Sequence, residues 1–435
     1  MAGHPISEDF AEEPYWWRSA PRLSAPCADF PSEADVVVVG SGFGGTSTAL
    51  TLAKHGHSVA LLDAGAMGAG ACSRNMGGLM DRVEGAPQSG GALLGRPIEE
   101  FEAEAKEAGQ FVQRLIAQYK IECNLRRDGS ARLASTKSAL DGMRARLAQK
   151  KARVPNCTDR IVEQSDLADL VGGRARNRYF GALLSDDQAT LHPGRFINGL
   201  LLAAEEAGAT LLAHTRALGA VRVSKEKFRV MTSRGVITAR NVVIATAGYS
   251  TDAFPVARRR IWPFGAHVIA TAPMGEDLMR QINRERRVLT DTRYHWMVAS
   301  PAPDEPRLLF SGGYLERPDV ARWAVKLHRR LIDLFPELEL VPVSNAWFGY
   351  MPINRPRLPQ IGILDGIHYS SDTSWAVSLL LGHKVALRIL GQQGSESVFD
   401  LVPLDEYPTI LQPPSLLRLP ARLTMSAMDA MGIGM

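Results

Sequence analysis

The sequence predicts an α/β protein of two domains, one built on a parallel sheet and one on a mostly antiparallel sheet with helices. Three observations carry this. Asp35–Ala64 reads strand, glycine turn, helix, strand; residues 258–348 alternate strands and turns; residues 357–391 return to strand-then-helix texture. At 435 residues the chain is longer than a single hydrophobic core normally grows, so two domains are expected.

The first stretch is the most informative. Val36–Val39 is an uninterrupted β-branched run, the pattern of a strand buried on both faces. It stops at Gly40-Ser-Gly42-Phe-Gly-Gly45 and gives way to a helical spacing over Thr46–His55, then to a second apolar strand, Ser58–Leu62, closed by Asp63. This is the complete dinucleotide-binding unit. Gly40 permits the tight turn, Gly42 lets backbone approach a pyrophosphate, and Gly45 lets helix and strand pack closely. The helix N-terminus offers unpaired N–H groups and a positive dipole end to the phosphates. Asp63 is placed to accept hydrogen bonds from a ribose hydroxyl. The alternative, a glycine turn in an ordinary α/β protein, does not require the acid at that position.

Composition excludes several classes. A net charge of +4 with no dense basic run beyond Arg258–Arg260 argues against nucleic acid. Four scattered cysteines without C-x-x-C spacing suggest reduced thiols rather than a disulfide framework or a zinc site. Glu8, Asp9, Glu12 and Glu13 precede any apolar run, the reverse of a signal peptide, and no apolar stretch is long enough to span a bilayer, so a cytoplasmic location is expected.

Residues 1–34 read as an irregular, Pro-rich arm whose Tyr15-Trp16-Trp17 buries on the main body. Ala64–Asp81 is loaded with small residues around Arg74-Asn75, as expected of a loop passing close to a bound cofactor. Residues 97–120 and 137–151 are amphipathic helices, and Asp128-Gly129 signals a hairpin within Cys123–Ala134. A helix over Arg195–Ala207, a strand over Thr210–Ala213 and a hairpin region over Ala220–Thr232 follow. The strand Asn241–Ala245 ends in a second glycine turn, Thr246-Ala247-Gly248-Tyr249. Strands are expected over Pro263–Thr271, Tyr294–Ser300, Leu308–Gly313 and Ile367–Tyr369, with helices over Asp319–Leu334 and Ser374–Leu390. The Met-rich C-terminal segment reads as a lid or subunit contact, leaving a homo-oligomer open.

Taken together, PYWW, VVVVGSGFGG, GACSRNMGG, NVVIATAGYS, RRRIWPFGAHVIAT, LLFSGGY and AWFGYMPINRPRLPQIG, in this order, resemble the FAD-dependent D-amino-acid oxidase superfamily, nearest its glycine oxidase and γ-glutamylputrescine oxidoreductase branch. The resemblance implies a discontinuous Rossmann-like FAD domain (35–90, 185–250, 352–395), a substrate domain (91–184, 251–351), an N-terminal arm (1–34) and a tail (396–435). It implies that Gly40, Gly42, Phe43, Gly44, Gly45, Asp63 and Ala64 hold the ADP half of a non-covalent FAD. Arg74, Asn75, Met76, Gly77 and Gly78 would lie along the diphosphate and flavin, backbone at Val221 would meet the adenine, and Ala247 and Gly248 would lie beside the cofactor. One departure stands out. The family's G-x-S-G-H-G-like turn at the flavin's pyrimidine edge is replaced by Tyr369-Ser-Ser-Asp372-Thr373-Ser374-Trp375, where Thr373 and Ser374 precede the helix.

The family reaction is hydride transfer from the carbon beside an amine to flavin N5, giving an imine that water hydrolyses; the electrons pass on to oxygen or a carrier. Substrate-contact candidates are His267, Tyr294, His295, Trp296, Trp347, Tyr350, Arg355 and Trp375, with Arg293 or Arg355 for a carboxylate. Alternation puts Tyr294 and Trp296 on one face of their strand and His295 on the other. Cys72 is placed for a covalent flavin link, although a plain small residue is the simpler reading. The same fold with different chemistry, a non-catalytic FAD-binding subunit and an NAD(P)-dependent dehydrogenase are the alternatives.

Overall fold

In the computed structural model, residues 5–23, 29–79, 92–154, 156–293, 297–314, 319–408 and 427–428 are described. The principal strands, in chain order, are β1 (Ile6–Ala11), β2 (Glu33–Val39), β3 (Val59–Leu62), β4 (Ser130–Leu133), β5 (Arg160–Glu163), β6 (Gly181–Ser185), β7 (Thr210–Leu212), β8 (Ala217–Ser224) and β9 (Lys227–Thr232). They continue as β10 (Gly235–Ile244), β11 (Trp262–Thr271), β12 (Val288–Asp291), β13 (Met297–Pro301), β14 (Leu308–Tyr314), β15 (Val343–Ile353), β16 (Gln360–Leu364) and β17 (Ile367–Ser371). The principal helices are α1 (Phe43–Lys54), α2 (Ile98–Gln118), α3 (Lys137–Arg153), α4 (Pro193–Glu206), α5 (Val320–Leu334) and α6 (Trp375–Leu390).

Two large sheets result. In the first, β7, β3, β2, β10 and β17 run parallel, with the antiparallel meander β8–β9 continuing from β10 and β16 pairing with β17. The β-branched run of β2 is buried on both sides. Val36 and Val38 enter the core formed with α1, α2, α4 and α6, while Val37 and Val39 join Leu62, Ile244, Phe254 and Ala257 on the opposite face. The second sheet has the order β1-β15-β11-β14-β13-β12-β4-β6-β5 and is antiparallel except where β1 meets β15 and β4 meets β12. Helix α5 covers one of its faces through Ala324, Leu327 and Leu331. The fold is therefore the mixed α/β architecture expected from the sequence.

Three local expectations change. Asp128-Gly129 does not close a hairpin: only Ser130–Leu133 is a strand, and it pairs with β6 and β12, both distant in sequence. Gly129, at φ +72°, instead passes between segments, its N–H donating to the Gln188 carbonyl. Long-range ladders outcompete the local turn because they bury Ala131 and Leu133 in the second core. Helix α2 packs its Phe101, Ala105, Ala108, Phe111 and Leu115 face into the core of the parallel sheet, not the second sheet. Its Glu104 accepts from buried Lys384 of α6 at 2.8 Å, pinning the two helices together. The arm is not wholly irregular, because Ile6–Ala11 adds a parallel edge strand to β15. The expected strand residues Tyr294, His295 and Trp296, and most of the C-terminal tail, lie outside the described residues. Among the described residues no helix is long and apolar enough to cross a membrane.

Burial holds four imidazoles neutral. His192, His267, His368 and His383 are each pushed down from 6.5 to about 4, with desolvation the largest cause. The unfolded chain therefore binds more protons than the folded one between about pH 6.5 and about pH 4. Stability is expected to fall steadily as pH drops through that window. Denaturant midpoints followed from neutral to mildly acidic pH check this; a midpoint that stays flat there would show the rings already charged or solvated in the fold.

Candidate active site

One cleft of about 1920 Å³ runs between the two sheets, large enough for a dinucleotide and a second molecule. Its first end is formed by the carboxyl ends of β2, β3 and β10, the position where parallel sheets bind ligands. Gly40 sits at φ +102°, and a Cβ there would lie 2.6 Å from the Ala245 carbonyl oxygen. A Cβ on Gly45 would collide with the Gly40 carbonyl oxygen, so Gly45 lets α1 cross the turn. Gly42 is different, since nothing lies within 4 Å of where its Cβ would point. That glycine is not demanded by the protein's own packing; it leaves the start of α1 open to the cleft.

Helix α1 begins at Gly42 without any side-chain cap, so its first N–H groups and positive dipole end are free for an anion. The Asp63 carboxylate lines the same wall and braces it. One oxygen accepts from the Ser41 N–H at 3.2 Å and hydroxyl at 2.5 Å, and the other from the Gly65 N–H at 2.9 Å. An open glycine, an uncapped helix and an acid at the next strand end fit the phosphates and a ribose of FAD. Phe43, Gly44 and Ala64 line this end as well, whereas Gly45 works behind it.

The glycine-rich loop that follows is braced by four indoles, three of them on its backbone carbonyls and one on a side chain. Trp16 Nε1 donates to the Asn75 carbonyl (3.0 Å), Trp17 Nε1 to Ser73 Oγ (3.1 Å), Trp347 Nε1 to the Arg74 carbonyl (2.8 Å) and Trp375 Nε1 to the Gly78 carbonyl (2.7 Å). Ser300 adds a bond to the Met76 carbonyl at 3.2 Å. The two polar side chains of the loop are also engaged. Arg74 donates to the Ala69 and Phe348 carbonyls and lies over the Trp17 ring, and Asn75 closes the loop on the Ala71 and Cys72 carbonyls and the Gly77 N–H. Arg74, Asn75, Met76 and Gly78 still line the cleft, while Gly77 does not; at φ +76° it packs on the Leu191 carbonyl.

The other wall is the second sheet. Phe264, Ala266 and Val268 of β11, Ser311 of β14, and Val298 and Ser300 of β13 face the cleft in alternation. Tyr249 and Tyr350 meet edge to face at 5.5 Å beside them, with Gly248, Ala247 and Met351. Tyr249 was missed as a site residue, although its place directly after the second glycine turn was a usable signal. Thr373, Asp372 and Trp375 line the cleft beside α1; Ser374 is buried at the start of α6. Trp375 packs against Phe43 and Phe196 at 5.1 and 5.7 Å, so the tryptophan that replaces the expected glycine turn fills space between helices and steadies the loop.

Several expected contacts fall elsewhere. His267 is on the opposite face of β11, stacked on Trp323 of α5 at 5.0 Å, because odd positions of that strand face the helix. Trp347 is buried with Tyr15 and Trp16, away from the cleft. Val221 is 53% exposed on β8; the cleft meets that strand only at its start, along Thr215, Arg216 and Ala217. Arg355 is exposed and 3.9 Å from Asp405, and Arg293 sits 3.8 Å from Asp291, over the Tyr179 ring. Cys72 does line the cleft, but it is buried, its thiol donating to the Gly68 carbonyl and pushed up to about 12 by burial, the state of an inert structural thiol. Tyr294 and Trp296 lie outside the described residues.

These features define a flavin-dependent oxidoreductase fold, and sequence comparison agrees. Residues 35–386 match the family described as FAD dependent oxidoreductase (DAO), and the chain belongs to that family, with FAD as its cofactor. It is similar to the γ-glutamylputrescine oxidoreductase of Escherichia coli (strain K12), 30% identical over 349 residues that cover 77% of this chain and 78% of that protein. A probable oxidoreductase, OrdL, of Rhizobium meliloti (strain 1021) is 26% identical over 75% of each chain. Among solved structures, glycine oxidase from Geobacillus kaustophilus superposes with a TM-score of 0.70 at 20% identity, covering 86% of this chain and 99% of its own. L-amino acid deaminase from Proteus vulgaris, in the form lacking its specific insertion sequence, superposes at 0.69 and 17%, covering 89% and 98%.

Two substitutions separate packing from cofactor contact. Gly42→Ala is expected to leave the thermal stability of the apoprotein unchanged and to weaken FAD binding at least roughly tenfold, because only a bound group meets the new methyl. Gly45→Ala should instead cost the apoprotein roughly 3 kcal/mol or more through the α1–turn collision. Equal effects of the two changes on apoprotein melting would remove the distinction. Trp347→Phe, which strands the Arg74 carbonyl, should destabilise by about 1–3 kcal/mol and release flavin faster, as read by fluorescence of dissociated FAD.

Proposed function

We propose that this FAD-dependent oxidoreductase oxidises a C–N bond of an amine or amino acid, giving an imine that hydrolyses. The observation that carries the reading is that one continuous cleft joins the Gly40–Gly44 phosphate end to an uncharged sheet wall beside Tyr249 and Tyr350. An apolar, uncharged wall favours a neutral amine over an ammonium ion, the form that can give up its adjacent hydrogen. The names of the similar proteins, a γ-glutamylputrescine oxidoreductase, a glycine oxidase and an L-amino acid deaminase, support the same substrate classes.

Bound FAD would supply the two-electron acceptor. The chain's own part is to hold the phosphates at the start of α1, keep the residue 70–78 loop rigid through the four indoles, and exclude water between the sheets. The inert Cys72 thiol supports a non-covalent cofactor. Reoxidation falls to oxygen or an electron carrier. Cysteines 72, 123 and 157 are free, which suits a cytoplasmic setting.

Anaerobic mixing of the flavin-loaded protein with a panel of primary amines, secondary amines and amino acids tests the reading. At least one class is expected to bleach the flavin absorbance, with peroxide on re-aeration if oxygen is the acceptor. A flavin that no amine or amino acid reduces would overturn it.

A further inference from the structure

A run of aromatic rings leads away from the cleft to the outer side of the second sheet, and the oxidation chemistry does not use it. Tyr249 and Tyr350 line the cleft, edge to face at 5.5 Å. Tyr350 meets Phe348 at 4.9 Å, Phe348 meets His267 at 4.7 Å, and His267 stacks on Trp323 of α5 at 5.0 Å and 17°. His267 is 2% exposed and its Nε2 has no hydrogen-bond partner. A buried polar atom left unpaired costs about 1–3 kcal/mol, so hydrogen bonding does not account for this residue; the stacked ring does. The run ends at Trp323, which is half-buried.

Helix α5 surrounds that indole with positive charge. Arg322, Lys326 and Arg329 stand at i, i+4 and i+7, one exposed stripe, and among the described residues none has a carboxylate partner. Lys326 Nζ lies 4.5 Å over the Trp323 ring. The acids at the two ends of the helix are engaged. Asp319 caps the Arg322 N–H at 3.3 Å, and Asp333 binds Arg178 and Arg174. An exposed helix face is convex, whereas small molecules bind in clefts, so the stripe suits a macromolecule. An indole rimmed by unneutralised cations complements an acidic protein surface. The rings behind the indole lead to the cofactor cleft, which makes a redox partner the fitting one.

We propose that the Arg322–Lys326–Arg329 face of α5 docks an acidic one-electron carrier protein, with Trp323, His267, Phe348 and Tyr350 as the packed path between it and the cofactor cleft. No ring is itself reduced; closely packed atoms carry tunnelling electrons better than a solvent gap of the same length. Two electrons leave the reduced flavin, two carrier molecules each gain one, and the flavin's protons pass to water. The proposal rests on the flavin-dependent class of the protein and extends the acceptor half of the proposed reaction.

The test uses the full-length holoenzyme, its flavin photoreduced anaerobically without any amine, mixed with soluble cytochrome b5, an acidic haem protein. Haem reduction is expected to be second order and to slow at least roughly tenfold from low to physiological salt, because screening removes the attraction. Basic cytochrome c should show no such slowing. Combining Arg322→Gln, Lys326→Gln and Arg329→Gln should cost roughly tenfold in rate at low salt and most of the salt dependence. Arg240→Gln, on an exposed cation of the parallel sheet, should keep both. Trp323→Leu should slow reduction at saturating cytochrome b5 with the salt dependence retained, and Trp323→Phe, which restores a ring, should recover much of the rate. A haem that the reduced flavin leaves oxidised, or a rate indifferent to salt and to the triple change, overturns the docking site. An unaltered limiting rate in Trp323→Leu overturns the ring path. Because light and not substrate reduces the flavin, either failure leaves the amine-oxidation reading standing, and that reading falls separately if no amine bleaches the flavin.

Discussion

The site depends on a glycine-rich loop that cannot hold itself. Residues 70–78 have only a few backbone hydrogen bonds, among them a short ladder at Gly78, and four indole N–H donors from three distant parts of the chain brace them. An indole suits the task because its nitrogen only donates and its ring fills the space between the loop and the sheet. Trp16 and Trp347 share one buried cluster with Tyr15 and Val268, so the N-terminal arm, the second sheet and the loop are held as one unit. The arm is latched on its other side as well: Tyr15 donates to Asp304 at 3.0 Å, and Ser19 Oγ lies 2.8 Å from His192 Nε2.

This arrangement changes the meaning of the departure at Tyr369–Val377. A tryptophan at the end of a turn that the resemblance expects to be glycine-rich looks like an obstruction beside the cofactor. In the fold, Trp375 starts α6, packs on Phe43 and Phe196, and donates to the Gly78 carbonyl. The substitution moves a bracing role onto the helix start. Arg74 and Asn75 show the same logic, since their side chains hold the loop's shape and only their positions face the cleft.

The two sheets divide the remaining work by charge. The parallel sheet presents a helix dipole and Asp63, groups suited to phosphate and ribose, and strands β11, β14 and β13 of the second sheet present alkyl, hydroxyl and aromatic groups. Burial keeps its titratable neighbours quiet. His267 is held neutral behind β11, and Asp291, which accepts from Tyr179 and the Met297 N–H, has its carboxyl pushed up by desolvation.

The dinucleotide unit was legible in the sequence by itself, because each of its parts answers a local demand: Gly40 a positive φ, Gly45 a close crossing, Val36–Val39 burial on both faces. The α/β class and most helices were legible for the same reason, as periodicity reports the face an element buries. What only the tertiary structure decided were the relations between segments far apart in the chain. Alternation alone could not say which face of β11 meets the cleft, so His267 went to α5 and Ala266 to the site. Local turn chemistry at Asp128-Gly129 lost to ladders with β6 and β12. The four indoles and the start of β8 in place of Val221 are convergences of remote residues, and one-dimensional spacing carries no record of which surfaces the packing brings face to face.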